Sequence, residues 1–179
     1  MSQDLAFTLA QSGLLTSDLQ ALIPQGFSPS TELSIRFGTK PLSLGNIFRA
    51  SECKEVPLVS FAKEVDDTNA SRLYTLLLID PDAPTPDDPK FTYWRHWVVK
   101  GLRPVETGGP VTISDVLTAY LGPGPKDEEP DNLSLSKEDI GGEEFVQRRS
   151  FKAVEWVEQH GLQLVGVNWM RGVGDGWQE

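Results

Sequence analysis

A chain of 179 residues that is 39% hydrophobic and 23% charged is long enough for one buried core and too apolar for disorder. Its formal net charge of −10 excludes the basic footprint needed to hold nucleic acid or to adsorb to anionic membrane. The charge is uneven: residues 126–144 hold eight acids and two lysines, six of the ten net negative charges.

In chain order, residues 1–25 read as a helical segment. Residues 4–11 suit a short helix. A second begins at Ser17, which with Gln20 forms a capping-box pattern ahead of Leu19, Leu22 and Ile23, and Pro24 stops it. The first residues carry no basic, long-apolar signal pattern, and no run approaches the roughly 18 apolar residues of a membrane span. The one cysteine, Cys53, rules out an internal disulfide and points to a reducing compartment, so a soluble, cytoplasmic protein is expected.

Strand signals follow. Leu33, Ile35 and Phe37 alternate with Ser34 and Arg36, and residues 57–61 form a second short strand. Residues 73–79 (LYTLLLI) are an almost unbroken apolar run, the pattern of a strand buried on both faces. Trp97, Val98 and Val99 belong to another strand, closed by Gly101. Between these two, residues 80–89 carry four prolines, which forbid helix or central strand and predict a stiff, structured loop. Residues 114–121 predict a short helix stopped by Gly122-Pro123-Gly124-Pro125. The acidic segment 126–144 has little periodicity. Residues 150–161 predict the best-marked helix, with Ser150 as cap, Phe151, Val154 and Val157 on one face, and Gly161 as stop. Residues 162–169 predict a final strand. The expected whole is one domain, 1–179, mainly β with a few peripheral helices.

Chemistry concentrates around the proline loop. Asp80 and Asp82 are two apart, so in extended backbone they face one side. His96, near the neighbouring strand, can converge on them, with Phe91, Trp94 and Trp97 as an aromatic rim. Close carboxylates resist double ionisation, so a neutral aspartic acid or a protonated histidine can donate to an anionic ligand. The same aspartates suit turn capping equally well, and their spacing leaves both readings open. A metal triad lacks its usual His-x-Asp/Glu spacing. There is no Gly-x-Ser-x-Gly elbow, and the glycines of 172–176 lack the Lys-Ser/Thr ending of a phosphate loop. His160 at a helix end and Cys53 among mixed charges predict structural roles. Gly122 and Gly124 suit either a backbone wall for a pocket or a plain helix stop.

These residues resemble a known signature. The stretch 73–84 (LYTLLLIDPDAP), then Asp88-Pro89, then Trp94-Arg95-His96-Trp97 is similar to the phosphatidylethanolamine-binding protein family. That family includes Raf kinase inhibitor proteins, plant flowering regulators and fungal carboxypeptidase Y inhibitors. Residues 120–125 (YLGPGP) resemble its next pocket wall, and 162–169 (LQLVGVNW) the final strand of fungal members. The similarity covers roughly residues 15–125 and 145–170. It implies an antiparallel β-sandwich core and a small pocket for phosphate or carboxylate head groups. It places Asp80, Asp82 and His96 on the pocket's polar positions, Pro84, Phe91 and Trp94 on the rim, and Gly122 and Gly124 on the backbone wall. It implies a binding protein rather than an enzyme, without metal or cofactor. Its partners would be a phospholipid head group or similar anion, and a serine carboxypeptidase or a kinase, with the fungal carboxypeptidase Y inhibitors most similar.

The family pattern runs on from this turn into Gly-x-His-Arg-Tyr and an apolar strand. Here Pro125 is followed by Lys126-Asp127-Glu128-Glu129-Pro130-Asp131. One core strand, with a second pocket histidine and its tyrosine, is therefore expected to be missing. At about 25 cal/mol per Å², a few hundred Å² of uncovered apolar surface rivals the net stability of a domain. Two further readings follow: an acid–base enzyme (isomerase, cyclase or dehydratase) using Asp80, Asp82 and His96, or a degenerate isoform with impaired ligand binding.

Overall fold

A computed structural model describes residues 2–13, 17–64, 72–105, 109–124, 140–142 and 144–178. The strands are β1 (Ser34–Phe37), β2 (Lys40–Pro41), β3 (Ile47–Arg49), β4 (Leu58–Ser60), β5 (Tyr74–Asp80), β6 (Trp94–Leu102), β7 (Asp115–Thr118) and β8 (Arg171–Val173). The helices are α1 (Ser2–Ser12), α2 (Ser17–Leu22) and α3 (Ala153–Gln159). Two antiparallel sheets, ordered β2-β1-β4 and β5-β6-β7, are joined by a parallel pair, β3-β8. No helix among the described residues is long and apolar enough to cross a membrane.

Alternation along the strands sets the layers. On one face of the β5–β6 pair, Leu76 lies opposite Val99 and Leu78 opposite Trp97. These pack with Ile35, Phe37, Phe48 and Val59, so one apolar core fills the space between the two antiparallel sheets. The opposite face presents Leu77, Ile79 and Val98 to Leu19, Phe151, Ala153 and Trp156, so α2 and α3 cover it. The mainly β sandwich with peripheral helices is therefore present.

Four local expectations are corrected. The strand buried on both faces is β6, whose residues from Trp94 to Val99 are all buried; β5 is only half-buried beyond Tyr74. β6 has a neighbour on each side, whereas β5 has one among the described residues. Residues 114–121 hold strand β7, not a helix. Val98 pairs with Thr118, Val99 with Val116 and Lys100 with Asp115, and a Lys100–Asp115 ion pair at 3.5 Å reinforces the register. Eight residues are too few for periodicity to separate helix from strand, and tertiary pairing decides. Ser150 does not cap α3: it sits at φ +51°, and the helix starts three residues later without a side-chain cap. Gly161, at φ +61°, does end it.

Residues 162–169 form no strand. Val165 O accepts from Ser30 N (2.9 Å) and Thr31 N (3.2 Å), and Trp169 O accepts from Gly45 N (2.7 Å). The Asn168 amide binds Leu44 N and Leu33 O in place of ladder bonds (3.2 and 3.0 Å). Backbone groups are satisfied without a ladder, and the final strand comes later, as β8. The acidic segment 126–144 lies outside the described residues except for 140–142 and 144, and so does the place where the family's strand would follow Pro125.

Cys53 closes a 3-10 turn, Ala50–Cys53, and is 1% exposed. Burial, then the Glu52 charge, pushes its thiol up to about 11. Thiolate is the reactive form. The native protein is expected to resist a thiol reagent at mildly alkaline pH and to react with one equivalent once denatured; rapid native labelling would contradict this.

Candidate functional site

The site grows from the end of β5. Asp80 is its last residue and pairs with Trp94, the first of β6. Asp80 Oδ1 accepts from Asp82 N at 2.7 Å. Asp80 therefore does cap the turn into the proline loop, and the same bond holds the two acids together. Burial first, and the Asp80 charge second, push the half-buried Asp82 carboxyl above its usual 3.8.

His96, 8% exposed, lies two residues into β6 from Trp94. Its Nδ1 donates to Leu121 O at 2.7 Å, and Leu121 N donates to His96 O at 2.8 Å. A carbonyl only accepts, so Nδ1 carries the proton and Nε2 is the acceptor of the neutral ring. Burial pulls the ring below its ordinary 6.5; the Leu121 carbonyl and Asp80 offset part of this, and the Arg148 charge adds to it.

The stability consequence has a definite sign. Below pH 6.5 the unfolded ring takes up a proton that the native ring refuses. Stability is therefore lost as pH falls from 6.5 toward the native value. Asp82 acts oppositely at lower pH: its raised carboxyl binds a proton before the unfolded one does, so it adds stability as pH falls toward 3.8. Urea melts at pH 7.5 and about 5.5 are expected to show a drop that is smaller in His96→Gln; an equal drop in both proteins would refute the assignment.

The loop folds back on this centre. Phe91 N donates to Ala83 O at 2.9 Å, and Thr92 Oγ1 to Pro81 O at 2.7 Å. Trp94 is buried, its ring 6.4 Å from His96 and 4.5 Å edge-on from Phe145. Gly122 follows Leu121, and a Cβ there would run into the Cys53 carbonyl, to which the Tyr120 hydroxyl donates at 2.6 Å. Pro84 and Gly124 are exposed, and a Cβ on Gly124 would meet nothing within 4 Å. The geometry thus gathers Asp80, Asp82, His96, Phe91, Trp94 and the 121–122 backbone. No hydrogen bond or ring contact among the described residues ties Pro84 or Gly124 to them. Nor, among those residues, does any group of three His, Cys, Asp or Glu side chains sit ready to hold a metal ion.

Sequence reading missed two arginines. Arg148, 5% exposed, donates through one Nη to Ala119 O (2.8 Å), His96 O (3.2 Å) and Arg95 O (3.3 Å). It clamps β6 to the end of β7 just behind the histidine. Arg95 is fully buried and reaches the carbonyls of Ile140, Gly142 and Gln147. The available signal was the Arg148-Arg149 doublet closing an acidic run, which looks like a solvated face until the fold is known.

The family model for phosphatidylethanolamine-binding protein matches residues 27–134. That span holds all eight residues expected at the pocket. MOTHER of FT and TFL1 homolog 2 of Oryza sativa subsp. japonica is 32% identical over 99 residues, 55% of this chain and 52% of that protein. FLOWERING LOCUS T of Arabidopsis thaliana is 28% identical over 112 residues, 63% of this chain and 60% of that protein. The chain thus spans only about half to three-fifths of the length of these plant relatives. Among solved structures, a carboxypeptidase Y inhibitor complexed with its cognate proteinase superimposes with a TM-score of 0.72 at 21% identity, covering 97% of this chain and 96% of that one. The fold and the match over more than half of its length agree: the chain belongs to the phosphatidylethanolamine-binding protein family.

Proposed function

We propose that the chain is a binding protein whose Asp80–Asp82–His96 site takes a phosphate- or carboxylate-bearing ligand, such as a phospholipid head group. Through that fold it would act as an inhibitor of a serine carboxypeptidase of the carboxypeptidase Y type, or as a signalling regulator. The supporting observation is a buried histidine, fixed through Nδ1, beside a carboxyl pair in which burial favours a protonated Asp82. A protonated carboxyl and a protonated imidazole both donate to an anionic oxygen. An incoming anion raises both groups' proton affinity, so binding takes up protons and strengthens as pH falls.

Calorimetric titration with O-phosphoethanolamine tests the pocket. One-to-one binding tighter than about 1 mM, stronger at pH 6 than at pH 8 (values set by the ordinary histidine range), is expected. Absence of binding by the cooperatively folded chain would favour the impaired isoform. For the partner, stoichiometric inhibition of carboxypeptidase Y without turnover is expected, and full protease activity at an excess of folded protein would remove that partner. The relative supporting it is the structure of a carboxypeptidase Y inhibitor with its proteinase. One observation favours the acid–base enzyme: a histidine whose depressed pKa leaves it a neutral base next to Asp80. That reading requires turnover with a bell-shaped pH profile, lost in His96→Ala.

A further inference from the structure

We infer that Arg149 is a ligand-binding residue of this site: a cation seated on the aromatic rim that selects phosphate monoesters over carboxylates. The inference rests on the anion-pocket reading above and names the residue that sets its preference.

Placement comes first. Ser150 N donates to Phe91 O at 3.1 Å and Phe151 N to Tyr93 O at 2.8 Å, so residues 149–151 run beside 91–93. Phe91 and Thr92 are in turn bonded to Ala83 and Pro81, on either side of Asp82. The Arg149 guanidinium lies 4.2 Å from the Phe91 ring centre and 5.3 Å from that of Phe145, and Phe145 packs on Trp94. The cation thus lies by two rings: Phe91, in the loop that also carries Asp82, and Phe145, which packs on Trp94 at the start of β6. Ser150 at φ +51° keeps a strained backbone at the residue that seats it, and strain of this kind collects at functional sites.

Among the described residues its charge is unspent. Arg95 and Arg148 direct their N–H groups to backbone carbonyls, and Arg72 pairs with Glu64 at 2.7 Å. Arg149 has no ion pair and no side-chain hydrogen bond among the described residues, and its Nε is buried without a partner. Among the described residues Arg149 is thus an unpaired, half-buried guanidinium, in a chain of net charge −10. Stacking holds it without using its in-plane donors, which leaves the planar fork available to an anion. Whatever negative charge the carboxyl pair keeps disfavours an anion, and a cation on the rim offsets it. The attraction scales with ligand charge, so a phosphate monoester dianion gains more from Arg149 than a carboxylate does.

The test is calorimetric titration of the full chain with O-phosphoethanolamine and with acetate. Wild type, Arg149→Met and Arg149→Lys are compared, each first shown to melt cooperatively. Methionine keeps an apolar stem over Phe91; lysine keeps the charge. Expected is a loss of about tenfold or more in affinity for O-phosphoethanolamine in Arg149→Met, about threefold or less for acetate, and a flatter dependence on ionic strength. Arg149→Lys retains most of the phosphate affinity. If wild type binds and Arg149→Met binds equally well with the same salt dependence, the inference falls while the pocket stands. If both variants lose both ligands alike, Arg149 is structural and the inference falls. If wild type binds neither ligand, the pocket reading falls and takes this one with it.

Discussion

Replacing Arg95 with methionine is expected to lower stability by about 3 kcal/mol, and the melting temperature by roughly 10 °C for a chain of this size. Arg95 is 0% exposed and donates to the carbonyls of Ile140, Gly142 and Gln147 (2.7 Å to Gly142, 3.0 Å to Gln147), and its guanidinium lies 5.2 Å from the Phe151 ring centre. Methionine fills much of the same volume and packs against Phe151, so the cavity contribution is small. What is lost is the satisfaction of carbonyls on a segment with little regular structure to fall back on. Charged donors to such groups each contribute about 1.5–3 kcal/mol, and a buried acceptor left unpaired costs a comparable amount. The readout is a thermal melt, together with limited proteolysis near residues 140–149, where cleavage is expected to accelerate. A shift of only a degree or two, with unchanged proteolysis, would mean that these carbonyls find water and that Arg95 is not the anchor of the segment.

That arginine also marks where sequence reading stops. The β5 and β6 strands were legible because short apolar runs, LYTLLLI and Trp97-Val98-Val99, are bounded by turn residues, and the proline loop between them was legible because proline forbids the competitors. For Asp80, Asp82 and His96, strand geometry suggested one end of the pair, but the spacing left turn capping and a pocket equally open, and only the family resemblance assigned them to a pocket. Which strand would be buried on both faces was not. It depends on how many neighbours each strand finds, and LYTLLLI looks more like a central strand than WRHWVVKGL, whose Arg95 and His96 are polar. Those two polar residues occupy the central strand because each is answered by carbonyls from segments 25 to 52 residues away. No local pattern encodes such a partner. For the same reason β7 looked helical until its pairing with β6 was seen.

The largest effect at the site itself is expected from Gly122→Ala, set against Gly124→Ala in the same Gly-Pro-Gly-Pro turn. A Cβ on Gly122 would collide with the Cys53 carbonyl, a backbone atom that cannot rotate away, whereas one on Gly124 meets nothing within 4 Å. Forced overpacking of this kind costs about 1–3 kcal/mol. The displacement also has a defined direction. The preceding residue, Leu121, carries the carbonyl that fixes His96 Nδ1, and its N–H returns a bond to the His96 backbone. The neighbouring Tyr120 hydroxyl shares the same Cys53 oxygen at 2.6 Å. Moving the chain at 122 therefore loosens the histidine and strips Cys53 O of its donor together. Gly122→Ala is expected to melt several degrees lower and to lose O-phosphoethanolamine binding by an order of magnitude or more. Gly124→Ala should bind as wild type and melt at or slightly above it, since alanine restricts the unfolded chain. If both substitutions were silent, the turn would be no more than a stop between elements. If Gly124→Ala alone abolished binding, the ligand would lie against the exposed glycine, and the wall of the pocket would have to be redrawn around it.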